Sequence, residues 1–137
     1  MNIRRTILMA TAFLAARGGM APALAAEGDY ELGGNTTAII SQPGRYILVR
    51  DISVSTFSSQ AVYVTASDVT LDLNGFSIIG NGIVDGIRQH ENAARLVVRN
   101  GFITDCEAPL YCPGEGNRAE DLTIIRGEMP IYLGRGA

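Results

Sequence analysis

The chain has 137 residues, 11 of them basic and 14 acidic, a net charge of −3, and no Trp or Lys. An acidic chain without a basic cluster is a poor nucleic-acid binder and a poor ligand for anionic membranes. The length carries one small domain, and no apolar run beyond the first residues approaches the ~20 that a membrane span needs.

Residues 1–26 read as a secretory signal peptide. Arg4 and Arg5 open it, Thr6 to Ala16 is a short apolar run, and Ala23-Leu24-Ala25 places small residues where a signal peptidase reads them. The bland alternative is an uncleaved amphipathic N-terminus. No Cys follows the apolar run, which excludes a lipoprotein. Cleavage after Ala26 leaves 8 Arg against 14 acidic residues, a net charge of about −6. The expected product is exported, periplasmic or extracellular, and not a membrane protein after cleavage.

Residues 27–59 read as an N-terminal lead-in and capping region. Gly28 to Thr37 is polar and Gly-rich, and is expected to be flexible. Gln42-Pro43-Gly44 is a turn, with Pro setting φ and Gly accepting a positive φ. Arg45 to Val54 is strand material, rich in β-branched and aromatic residues. Ser55 to Gln60 is a polar link.

Residues 60–137 repeat one pattern. Leu71, Leu96 and Leu122 are spaced 25 and 26 residues apart, as are Leu73, Val98 and Ile124, and Ile78, Ile103 and Met129. A fixed period in the twenties signals a solenoid, because one such unit cannot bury its apolar face without a copy stacked on it. Each unit carries a short strand and a longer strand. Val62, Ile87, Leu110 and Ile131 mark the short strands, at intervals of 25, 23 and 21. Alternation in the long strands points Leu71, Leu73, Leu96 and Val98 inward and Thr70, Asp72 and Val97 outward. The expected inward columns are Leu71 with Leu96 and Leu122, and Leu73 with Val98 and Ile124. A helical repeat fails on Gly and β-branched content. A β-sandwich suits the Asn-Gly turns but not the matched columns. Asn74-Gly75 and Asn100-Gly101 sit at the bend after the long strand, where a left-handed backbone is needed. Stacked Asn side chains can form a ladder there. Arg126 takes the third place, so the ladder is expected to stop after two rungs.

These segments, chiefly Ile40 to Leu48, Ser67 to Phe76 and Leu96 to Ile103, resemble a right-handed parallel β-helix of the pectin lyase-like superfamily, in a short or truncated bacterial exported form. The similarity covers about Ile40 to Leu133. It implies an all-β solenoid of three to four short coils, open at its C-terminal end, and a polysaccharide context. The catalytic motifs of enzymatic members are missing: there is no Asn-Thr-Asp, Gly-His-Gly or Arg-Ile-Lys, and no Trp-containing motif.

Cys106 and Cys112 are the only cysteines. In an exported protein two cysteines usually pair, so a disulfide closing this short loop is the main reading. The alternative is two reduced, partly buried thiols. Asp85, Arg88, His90 and Glu91 form the densest ionisable cluster. A uronate lyase needs a base and a cation, which these residues can supply, but charges on a loop and short strand ordinarily face water. Tyr63, Tyr111 and Tyr132 recur one residue after the inward position. They form an outward column that reads either as a saccharide platform or as cross-strand packing. Asp105, Glu107, Glu115, Glu120 and Asp121 match no compact calcium loop, and neither a metal nor a cofactor is expected. The favoured function is non-catalytic polysaccharide binding or a structural role at the cell envelope. The rivals are a lyase or hydrolase of acidic sugars, or a truncated inactive fragment of one. Self-association through the C-terminal coil is expected, because Gly134 to Ala137 cannot cover an open end.

Overall fold

The computed structural model describes residues 29–54, 59–82 and 84–134. The expected signal peptide lies outside the described residues. Within them run β1 (Tyr30–Gly34), β2 (Ala38–Ile40), β3 (Gly44–Ser53), β4 (Gln60–Val64), β5 (Val69–Asp72), β6 (Ser77–Ile79), β7 (Asp85–Gln89), β8 (Leu96–Thr104), β9 (Leu110–Cys112), β10 (Arg118–Ile125) and β11 (Tyr132–Leu133), and no helix. Every strand pairing is parallel. A long-strand sheet runs β1-β3-β5-β8-β10, with β6 between β3 and β8, and a short-strand sheet runs β11-β9-β7-β4-β2. The chain is therefore a parallel β-solenoid of about 4 turns.

The core lies between the two sheets. Val62, Val64, Ile87 and Leu110 point into it from the short strands, and Leu71, Leu73, Leu96, Val98 and Ile103 from the other sheet, all fully or almost fully buried. On the short strands the register is the expected one: Val62 lies beside Ile87, and Ile87 beside Leu110. On the long strands it differs. Val69 pairs with Leu96 and Leu71 with Val98, two residues away from the expected columns. Leu122 pairs with Gly101 and Ile124 with Ile103. Ile78 does pair with Ile103, but Met129 is exposed. The cause is unequal bends. The first long strand is interrupted between Asp72 and Ser77, whereas β8 runs unbroken from Leu96 to Thr104. The extra residues of the first bend shift the register there. The slip of two at β5 keeps each side chain on its own face; at β10 the slip is five, and the left-handed bend at Asn100 and Asp121 turns Leu122 and Ile124 back to the inner side. Leu122 and Ile124 are only partly buried against the core.

The N-terminal region differs as well. The stretch expected to be flexible holds β1, which pairs with β3, and β2 pairs with β4, so both sheets continue through it. Tyr30 stacks on Tyr46 with ring centroids 4.7 Å apart.

The bends are left-handed, and their residues stack from coil to coil. Asn74 (φ 55°), Asn100 (φ 66°) and Asp121 (φ 50°) form one such column. Asp121, not Arg126, is its third member. Asn74 Nδ2 donates to the Leu48 carbonyl at 3.1 Å, and Asn100 Nδ2 to Asp72 Oδ1 at 3.3 Å. Each amide thus reaches back to the preceding coil. Arg126 instead sits beside Asp105 at a different corner.

Among the described residues no strand covers the outer edges of β10 and β11. Met129, Ile131 and Tyr132 are 52%, 47% and 49% exposed there. Unpaired parallel edges beside exposed apolar side chains favour association. Sedimentation velocity over a wide concentration range is expected to show growth beyond monomer, and a single monomeric species at every concentration would refute it. Leu96→Ala is expected to cost about 2–5 kcal/mol in a reversible denaturant melt, because the site is closed on all sides and the cavity persists.

Candidate functional site

Because Val62, Ile87 and Leu110 point inward, the residue after each points out. Register then places Tyr63 beside Arg88, Arg88 beside Tyr111, and Tyr111 beside Tyr132. The tyrosine column and the charged cluster of the sequence analysis are one site, with Arg88 filling the rung between Tyr63 and Tyr111. Ile39 extends the column on the far side of Tyr63.

The rings do not form a flat outward face. Tyr111 and Tyr132 stack on each other, centroids 5.2 Å apart and planes 20° from parallel. The Arg88 guanidinium lies 4.8 Å from the Tyr111 centroid. Both faces of Tyr111 are thus engaged by neighbouring rungs, the cross-strand packing that was the alternative reading. An aromatic pair of this kind contributes about 0.5–1.5 kcal/mol and an exposed cation–π contact about 0.5–1 kcal/mol. What Tyr111 leaves available to solvent is ring edge and hydroxyl.

Beside the column runs a shallow groove of about 210 Å³, lined by Tyr63, Arg88, His90, Glu91, Tyr111 and Pro113, with Gln89 also on its lining. Arg88 Nη1 is 2.7 Å from Asp85 Oδ2. That pairing brings Asp85 to the site without making it part of the lining. His90 is held by three contacts. Its N–H donates to the Val64 carbonyl at 2.8 Å, its carbonyl accepts from the Ala93 N–H at 2.9 Å, and its Nδ1 accepts from the Asn92 N–H at 3.1 Å. An accepting Nδ1 places the proton of the ring on Nε2.

Gln89 is a buried polar residue that the sequence pattern did not flag. Its side chain points inward, where an apolar residue is expected. Its Nε2 donates to Asn117 Oδ1 at 3.0 Å, and its Oε1 accepts from Asn117 Nδ2 at 2.7 Å and from the Gly114 N–H at 2.9 Å. Asn117 also accepts from the Leu96 N–H at 2.9 Å and reaches the Cys112 and Gly114 carbonyls. No buried side-chain polar atom among the described residues lacks a partner. A fully satisfied amide pair inside an apolar coil is rigid and specific.

Asp72 was expected to face water. Its carboxylate is instead buried, accepting from the Asn74 N–H at 2.8 Å, with Arg99 at 3.5 Å and Arg45 at 3.7 Å. The signal in the sequence is Asp72-Leu73-Asn74, where a carboxylate caps the amide two residues on.

The acidic residues Asp105, Glu107, Glu115, Glu120 and Asp121 do not gather. Asp105 is paired with Arg126, Glu120 lies 3.5 Å from Arg118, and Asp121 occupies a bend. Among the described residues no group of three or more His, Cys, Asp or Glu converges to hold a metal ion. Two corners carry the same tie between coils: Asp68 to Arg95 at 2.5 and 2.9 Å, and Asp105 to Arg126. Hydrogen bonds from these guanidinium groups hold both carboxyls below the usual range.

Cys106 and Cys112 are free thiols, both buried, in place of the expected disulfide. Cys112 belongs to β9 and takes the inward position after Leu110. Cys106 lies on the bend, packed close beneath Gly80 and Gly86, where a Cβ would strike its sulfur. The two side chains enter the core at different points of the coil, and each takes the place of a small apolar group.

Compared with protein-family models, curated proteins and solved structures, the chain finds no match.

Burial pushes the Cys106 thiol up to about 11, with the nearby charges of Asp105 and Asp85 adding to it, and burial alone pushes Cys112 to about 12. Nucleophilic thiolate is therefore scarce at neutral pH. Iodoacetamide at about pH 8 is expected to label neither cysteine in the folded protein and both after denaturation. Rapid labelling of either in the native state contradicts the burial. Both thiols titrate above their unfolded value, so their contribution to stability is intact below about pH 9 and is lost as pH rises toward about 12.

Proposed function

We propose that the protein is an exported, non-catalytic, right-handed parallel β-helix of the pectin lyase-like superfamily, and that it binds polysaccharide at the cell envelope through the groove of its short-strand sheet. One observation carries this reading. The tyrosine column and the Arg88, His90 and Glu91 cluster meet at a single groove along the outer face of the coil. A shallow, polar groove across three rungs, with aromatic edges, suits a few units of a hydroxyl-rich polymer, whose hydroxyls exchange hydrogen bonds with such side chains. The cleavable leader of residues 1–26 supports export.

The pairing of Arg88 with Asp85 supports a binding role over a lyase. A lyase needs a free cation to hold the substrate carboxylate and a base beside it. Here the cation and the nearest carboxylate neutralise each other at 2.7 Å.

The test is affinity electrophoresis of the mature protein through native gels containing a panel of polysaccharides. Retardation by at least one polymer is expected, with Tyr111→Ala and Arg88→Ala each reducing it several-fold. Mobility unchanged by every polymer would remove the binding reading. Ultraviolet absorbance of an unsaturated product, or release of reducing ends, from any polymer in the panel would replace it with the enzymatic one.

A further inference from the structure

We infer that the groove takes a neutral glycan and discriminates against acidic ones; this rests on the saccharide reading above and goes beyond it in naming the ligand class. Arg88 is the sole cation on the strands of the short-strand sheet. Its Nη1 is occupied by Asp85 at 2.7 Å, and its plane rests over Tyr111. Glu91 places a carboxylate on the lining itself, and Asp85 adds another just outside it. His90 adds no charge in the form in which Nδ1 accepts the Asn92 N–H. The groove and its immediate border thus carry one positive and two negative groups. A ligand carboxylate therefore approaches a guanidinium whose charge Asp85 already balances, and it also approaches Glu91; like charges at close range are unfavourable.

The hydrogen-bonding inventory points the same way. The hydroxyls of Tyr63 and Tyr111 both donate and accept, Glu91 accepts, and Arg88 and His90 Nε2 donate. Sugar hydroxyls also do both. A carboxylate only accepts, so it makes no use of Glu91 or of the accepting side of the two tyrosine hydroxyls. On the other face of the coil three arginines also lie beside carboxylates. Arg45 lies 3.6 Å from Asp29 and 3.7 Å from Asp72, Arg99 lies 3.5 Å from Asp72, and Arg118 lies 3.5 Å from Glu120.

The test is calorimetric titration of the mature protein with β-glucan and mannan oligosaccharides, oligogalacturonate, and glucosamine oligomers, at about 20 and about 500 mM salt. At least one neutral oligosaccharide is expected to bind with an affinity that salt leaves unchanged. Oligogalacturonate is expected to bind at least about tenfold more weakly. The double variant Asp85→Asn, Glu91→Gln frees Arg88 and removes both negative charges. It is expected to bind oligogalacturonate about tenfold or more tightly than the natural chain does, and salt is expected to weaken that gain. A thermal melt establishes that the variant is folded. Should the variant fail to fold, the comparison on the natural chain decides alone. Oligogalacturonate or glucosamine oligomers binding as tightly as the neutral sugars would overturn the inference while leaving the saccharide reading in place. Binding of none of the four would overturn that reading too.

Discussion

Everything in this fold depends on one coil lying on the next. A single coil offers a few inward side chains from each of two narrow sheets, too little apolar surface to offset the ordering of its backbone. Parallel pairing to the coils above and below supplies the missing cover and satisfies the backbone groups at the same time. The stacking also determines the outside. Once Val62, Ile87 and Leu110 are aligned in the core, Tyr63, Arg88 and Tyr111 are aligned on the surface. The candidate site is the outer consequence of an inner register.

That dependence explains which parts were legible in the sequence. The inward set was readable because alternation is a local property, independent of neighbouring coils. The short-strand columns were readable because Val62, Ile87 and Leu110 sit at the same place in strands of similar form. The long-strand columns were not. Leu71 finds Val98 rather than Leu96 because the first bend holds extra residues between Asp72 and Ser77. A period-2 pattern is blind to a slip of two, since every apolar residue still lands on an apolar partner. The corner columns failed because the coil between β8 and β10 is five residues shorter than the expected period: Asp121 stacks on Asn100, and Arg126 belongs to another corner. β1 escaped notice because its stability is not in its own composition. Its Gly-rich strand is held by β3 and by the Tyr30–Tyr46 stack.

The polar residues carry a parallel lesson. Read singly, Asp68, Asp72, Asp105, Arg95 and Arg126 are solvated charges. Stacking turns them into ties between coils, because residues 21 to 28 apart in sequence come within hydrogen-bonding distance. Two of these ties are exposed, and exposed ion pairs contribute little individually. Asp72 is different. It is buried and accepts from an amide of its own coil as well as from the side chain of Asn100 in the next. Removing such a group strands the buried Asn74 N–H without its acceptor.

The same logic bears on the groove. Its outer wall is built of long side chains on a sheet surface, which can change rotamer. Its floor cannot. Gln89 is locked to Asn117 by two reciprocal amide bonds and to the Gly114 N–H. Gly114 is itself confined, since a Cβ there would collide with the Ala93 carbonyl oxygen. Ala93 in turn is tied to His90, whose carbonyl accepts its N–H. The His90 backbone on the groove rim and the amide pair beneath it therefore belong to one connected network that spans two coils. A ligand meeting this surface finds a fixed backbone line carrying adjustable side chains. Affinity in such a site comes from side chains settling onto the ligand, each losing rotamer freedom as it does so. Charge is not adjustable in that way. Arg88 can swing, but Asp85 stays within the same strand, three residues away, and its charge remains close. The electrostatic character of the groove is thus set by β7 and the turn that follows it, and shape is left to the side chains.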